Sequence, residues 1–174
     1  PSNFTLFFKF LLMLHMKYMR CILLCAILAL PFASAAQKTQ IFQDVNIKYT
    51  TALELFDSKD YVNARKQFEE VLQMAHRPTD PELKLVAINA EYYRAVAAIE
   101  LQNPDGEMLL TQFLENHVGN AKSNMANFYL GRHYYDKRKF NDVIKAYEKV
   151  DLYELDQQQR EDLKFQLAYS YFFR

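Results

Sequence analysis

The chain has 174 residues, with 21 basic and 21 acidic side chains, 51% hydrophobic residues, three Gly, two Cys and no Trp. That length suits one domain of ordinary size, and the even balance lacks the basic excess of a nucleic-acid binder. Both cysteines fall in the first 36 residues, so the remainder has neither a disulfide framework nor thiol chemistry.

Residues 1–36 differ from the rest. Lys17 and Arg20 precede the uncharged run Cys21 to Leu30, followed by Pro31-Phe32 and Ala33-Ser34-Ala35. A positive flank, a short apolar run and a small-x-small site are the three parts of a secretory signal peptide. The run is too short to cross a bilayer, which takes about 20 residues. An uncleaved membrane anchor is the alternative, helped by the apolar stretch Phe4 to Leu14. Lys9, His15, Lys17 and Arg20 interrupt any fusion of the two stretches. Met16 and Met19 are natural starts, so residues 1–15 read as an over-extended frame. Lipidation is not expected, because Cys21 and Cys25 lie inside the apolar run instead of after the small residues. Cleavage is expected after Ala35 or Ala36. The mature part then holds 18 basic against 21 acidic residues, a net charge of −3, which again disfavours nucleic acid.

After a polar stretch from Gln37 to Gln43, apolar periodicity predicts helices at about 44–58, 61–76, 81–102, 105–117, 121–137, 140–150 and 156–173. Asp57-Ser58-Lys59-Asp60 and Asp136-Lys137-Arg138-Lys139 read as equivalent turns. Asn103-Pro104-Asp105-Gly106 is a stronger stop. Pro81 suits a first helical position with Asp80 as its N-cap. No strand-like alternation interrupts these segments, and the fold class is all-α.

One spacing recurs through the helices. A small residue, Ala52, Ala97 or Gly131, is followed sixteen positions later by a large one, Phe68, Phe113 or Tyr147. Ala168 repeats the small position near the end, after Leu167 and before Tyr171, and Ala64 belongs to the second helix of the first copy. A small residue lets two helices approach closely, and the large one fills the space beside it. The steps between small residues are 45, 34 and 37, so only one matches a period of about 34.

This pattern resembles the tetratricopeptide repeat, a helix–turn–helix unit that buries its apolar face only by stacking on neighbours. The resemblance covers Gln40 to Arg174. It implies a tetratricopeptide-like α-solenoid over 37–174, about 3.5 repeats long and truncated at its C-terminal end, with further repeats after Arg174. In such proteins the first helices line a concave groove. The positions that would face it include Tyr49, Phe56, Arg94, Phe128, Arg132, Tyr135, Phe165 and Tyr169. Aromatic and Arg side chains are typical interface anchors. The repeat-packing positions are Ala52, Ala64, Phe68, Ala97, Phe113, Gly131, Tyr147 and Ala168.

No catalytic constellation accompanies the repeats. His76, His117 and His133 have no second His or Cys at metal-ligand spacing. His76 and His117 fall at expected helix ends, where an imidazole can sit on the last carbonyls, and His133 reads as a surface residue. Glu69-Glu70 and Glu161-Asp162 are adjacent, so their carboxylates diverge on a helix. Phosphate loops and nucleophile elbows are absent from the sequence. The expectation is a non-catalytic interaction scaffold of the bacterial cell envelope, periplasmic or outer-membrane-associated, without metal or cofactor, that binds a protein or peptide. The alternative is an accessory repeat domain of a longer envelope enzyme or of a membrane-anchored receptor.

Overall fold

The structure is a computed structural model and describes residues 18–19, 40–75 and 80–174. The chain divides into two units, Pro1–Gln43 and Asp44–Arg174. In the first, Tyr18 and Met19 are helical and exposed, and helix resumes at residue 40. The leader assigned to 1–36 otherwise lies outside the described residues, as does His76.

Every described element is helical, and no strand occurs among the described residues. The order is α1 (40–57), α2 (Tyr61–Met74), α3 (Pro81–Glu100), α4 (Gly106–Asn116), α5 (Ser123–Asp136), α6 (Phe140–Tyr147) and α7 (Gln157–Phe173). A 3-10 turn, Leu152–Glu154, precedes α7. Helix begins at 40 instead of 44, because nothing between Gln40 and Gln43 breaks it and Phe42 continues the apolar phase of Val45 and Tyr49.

Carboxylates cap three of the helix starts. Asp60 accepts from the Asn63 N–H at 3.3 Å, and Asp80 accepts from Glu82 at 2.8 Å ahead of Pro81. Asp156 and Gln159 form a reciprocal capping box at α7. Three ends share one geometry. Lys59, Gln102 and Arg138 each adopt a positive φ, of 63°, 54° and 56°. Each N–H donates to the carbonyl three residues back, and the next N–H reaches the carbonyl five back. All six bonds are 2.9 Å long. This is the Schellman end, which satisfies carbonyls that the last turn leaves open.

Counting back seven residues from each left-handed position gives Ala52, Ala95 and Gly131. Ala95, not Ala97, is therefore the small residue of α3, and the expected register there is two positions late. Ala95 packs in one cluster with Phe113, and Ala97 is buried without belonging to it. The sixteen-residue offset survived the misreading because Asn103-Pro104-Asp105 makes this turn two residues longer than its counterparts.

Core clusters follow the chain. Val45, Ala52, Ala64, Phe68, Val71 and Ala90 join α1, α2 and α3. Tyr92, Ala95, Ile99, Leu110, Phe113 and Leu130 join α3, α4 and α5. Phe128, Val143, Tyr147, Leu155 and Leu163 join α5, α6 and α7. The rings Phe56 and Tyr61 meet beside the first turn at 5.3 Å, and Tyr49 and Phe68 meet farther from it at 6.0 Å, so α1 and α2 run antiparallel. From α2 onward the main helix contacts are between sequence neighbours, plus α3 with α5 and α5 with α7.

Candidate interaction surface

The side chains that could meet a partner come chiefly from α3, α5 and α7, positioned by the hairpin ends. Arg132 forms an ion pair with Glu100 across the α3–α5 contact, and its guanidinium lies 5.1 Å from the Tyr129 ring centre. Lys122 lies over Tyr92 and Tyr93, at 5.0 and 4.5 Å from the ring centres, and donates to the Tyr93 hydroxyl at 3.2 Å. Such cation–π contacts hold a charge while keeping it available to a partner. Burial, then the Glu100 carboxylate, pushes up the hydroxyls of Tyr61 and Tyr129. Both stay protonated and can donate.

Two cavities open beside this strip. One, of about 340 Å³, is lined by Glu100, Gln102, Arg132, His133 and Lys137 among others. The second, of about 360 Å³, is lined by Tyr135, Asp136, Arg138, Phe140, Tyr169 and Phe173. Tyr169 meets Tyr135 edge-on at 5.6 Å and Phe140 at 5.8 Å. Arg132, Tyr135 and Tyr169 are thus brought near one another, but Arg132 is already neutralised by Glu100.

The other expected groove residues are placed differently. Phe128 is only 3% exposed and packs with Val143, Tyr147 and Leu163, so it is a core residue and not a groove anchor. Tyr49 and Phe56 are half-buried against Phe68, and Phe56 also touches Tyr93. They bind α1 to its neighbours, and burial pushes the Tyr49 hydroxyl up to about 12. Arg94 pairs with Glu69 at 3.2 Å across α2 and α3. Phe165 is 65% exposed on the outer side of α7.

Among packing positions, Ala52, Ala64, Phe68, Ala97, Phe113, Gly131 and Tyr147 are buried. Ala168 is exposed, because no described helix lies across it. His133 is buried at 5% exposure, contrary to expectation. Its Nε2 has no hydrogen-bond partner and lies 3.8 Å from Glu107. His117 does end α4, but its ring bonds Glu91 of α3 at 2.7 Å instead of the last carbonyls. Lys137 and Lys139 are exposed in the turn, and both reach Glu107, at 3.9 and 3.0 Å.

Sequence reasoning missed Tyr93, Tyr129, Glu100 and Lys122. A signal existed. Tyr93 and Tyr129 each stand two residues before the true small residues Ala95 and Gly131, an equivalence hidden by the late register. Among the described residues no group of three or more His, Cys, Asp or Glu could hold a metal ion, and no helix is long and apolar enough to cross a membrane. Compared with family models, curated proteins and solved structures, the chain matches none.

Proposed function

We propose that this chain is a tetratricopeptide-like α-solenoid acting as a non-catalytic interaction scaffold. It binds a peptide or partner domain along the strip that carries Tyr93, Tyr129, Arg132, Tyr135 and Tyr169. The observation that supports it best is the repeated helix end at Lys59, Gln102 and Arg138. One turn geometry used three times, with core clusters that pass from hairpin to hairpin, is what stacked repeats require. The leader composition supports export through a signal peptide to the periplasm or outer membrane, where the partner would be a protein of the bacterial envelope.

The test is pull-down from envelope extract, followed by calorimetry on the recovered partner. Losing a true anchor costs about 2 kcal/mol or more, roughly thirtyfold in affinity. Tyr135→Ala and Tyr129→Ala should each weaken binding to that degree. Lys149→Ala, at an exposed position after α6, should leave it unchanged. Equal affinities in all three variants, with helical content intact, would move the binding site off this strip. N-terminal sequencing of exported protein should begin at Ala36 or Gln37, and retention of Met16 or Met19 would remove the signal peptide from the reading.

A further inference from the structure

Tyrosine hydroxyls in this fold differ in what they meet. Tyr147 donates to Gln166 at 2.5 Å and Tyr171 donates to Glu148 at 2.9 Å, each toward a neighbouring helix. Tyr61 and Tyr129 are half-buried, yet neither hydroxyl has a hydrogen-bond partner among the described residues. The Tyr93 hydroxyl accepts from Lys122 at 3.2 Å, which leaves its own proton free to donate.

These three hydroxyls gather at one place. Tyr61 and Tyr93 both touch Phe56, with ring centres 5.3 and 5.0 Å from it. The Tyr129 hydroxyl lies within electrostatic reach of Tyr61, Tyr93, Glu100 and Arg132. The site is therefore a set of donors without matching acceptors, since the Glu100 carboxylate is already held by Arg132. That pair is neutral as a unit. An ordinary extended peptide laid here would bring N–H groups with nothing to accept them, which is costly once water is displaced. Proline brings a carbonyl and no N–H.

Spacing agrees with this chemistry. Helices α3 and α5 pack directly on each other, and packed helices stand about 8–10 Å apart. A polyproline II segment repeats every three residues, or about 9 Å. Tyr93 and Tyr129 hold equivalent positions on α3 and α5, so one turn of such a segment separates the residues that meet them. We propose that the strip takes a proline-rich segment of its partner in polyproline II form, lying across α3 and α5 with prolines against Tyr93 and Tyr129 and carbonyls on the free hydroxyls. Aromatic-lined grooves take such segments because their shape is set before binding. This proposal rests on the binding role proposed for the strip. The competing occupant is an acidic peptide, drawn by Lys122 over the Tyr92 and Tyr93 rings.

Fluorescence anisotropy of a labelled decaproline peptide with the full chain should show saturable binding that salt does not weaken, because charge carries little of it. A Gly-Ser peptide of equal length should not bind. Tyr61→Phe and Tyr129→Phe keep each ring and remove only the donor, and each should weaken binding several-fold with helical circular dichroism unchanged. Tyr153→Phe, at a ring 95% exposed away from the strip, should have no effect. Absence of decaproline binding, or binding indifferent to Tyr129→Phe, would overturn the proposal. A partner from envelope extract that needs Tyr129 but is displaced by an oligoglutamate peptide, and not by decaproline, would also overturn it while keeping the scaffold reading. A partner indifferent to Tyr129→Ala and Tyr135→Ala would remove the binding strip itself.

Discussion

At the residue scale, two glycines and one histidine set the tolerances of the fold. Gly106 begins α4 against the backbone of α3. A Cβ there would stand 2.9 Å from the Ile99 nitrogen and 3.0 Å from the Ala98 carbonyl carbon. Backbone cannot move aside as a side chain can, so Gly106→Ala should destabilise the protein despite a helix-propensity gain of about 1 kcal/mol. At Gly131 the obstacle is the buried Tyr147 ring. Gly131→Leu should cost about 1–3 kcal/mol by overpacking. Thermal melts decide both, and an unchanged midpoint for either would place that glycine away from its neighbour helix. His133 adds a pH dependence. Burial, and then Lys137, hold its pKa below the ordinary 6.5, while Glu107 and Asp136 oppose that shift. A depressed histidine is neutral in the fold and takes up a proton more readily when unfolded. Its stabilising share is therefore complete above pH 6.5 and declines as pH falls through the folded value. His133→Leu should lose less stability than the wild type between pH 7.5 and pH 5, measured by melting at each pH. A stability gap between the two proteins that stays constant over that range would show that His133 does not titrate there.

At the element scale, the three Schellman ends place Lys59, Gln102 and Arg138 in the left-handed region, which side chains occupy at a cost of about 1–2 kcal/mol. Part of that strain is relieved by glycine and part is offset by its greater freedom in the unfolded chain. Replacing each by Gly should raise stability by about 0.5–1 kcal/mol, read from chemical denaturation; a fall at any of them would mean its side chain makes a compensating contact. Asp156→Ala should act in the other direction, costing about 1 kcal/mol through loss of the α7 cap. The helices themselves were legible in the sequence, because three- and four-residue apolar spacing and the Asp caps are local signals. The register of α3 was not. The run Ala95-Val96-Ala97-Ala98 offers three small residues in four positions, and only the turn geometry shows which one faces Phe113. That ambiguity carried into the candidate site. It put Arg94, an α2–α3 ion-pair residue, in the groove. Phe128 was misplaced for a different reason. A helix position aimed at a groove and one aimed at the next helix differ by less than one residue's rotation, and only the packing of α7 tells them apart.

At the scale of the whole molecule, the ion pairs trace the same order as the cores. Lys48 meets Glu70 at 2.5 Å, Arg65 meets Asp105 at 2.6 Å, and Arg94 meets Glu69. Each joins helices one hairpin apart at most. The described unit from Asp44 to Arg174 is thus assembled from contacts of short reach along the chain, which has a kinetic consequence. Little loop-closure entropy must be lost before a contact forms, so folding should be fast for a domain of this size. If the hairpins act as stacked repeats, as proposed, ordering starts at either end and spreads, and loss of order stops partway. Amide exchange should then show graded protection along the chain, and a cavity cut at Phe68 should speed exchange in α1 and α2 well before it is felt in α6. Uniform acceleration across all seven helices would reveal instead one cooperative block. A chain that loosens by sections gives up contacts at one end while those at the other end hold.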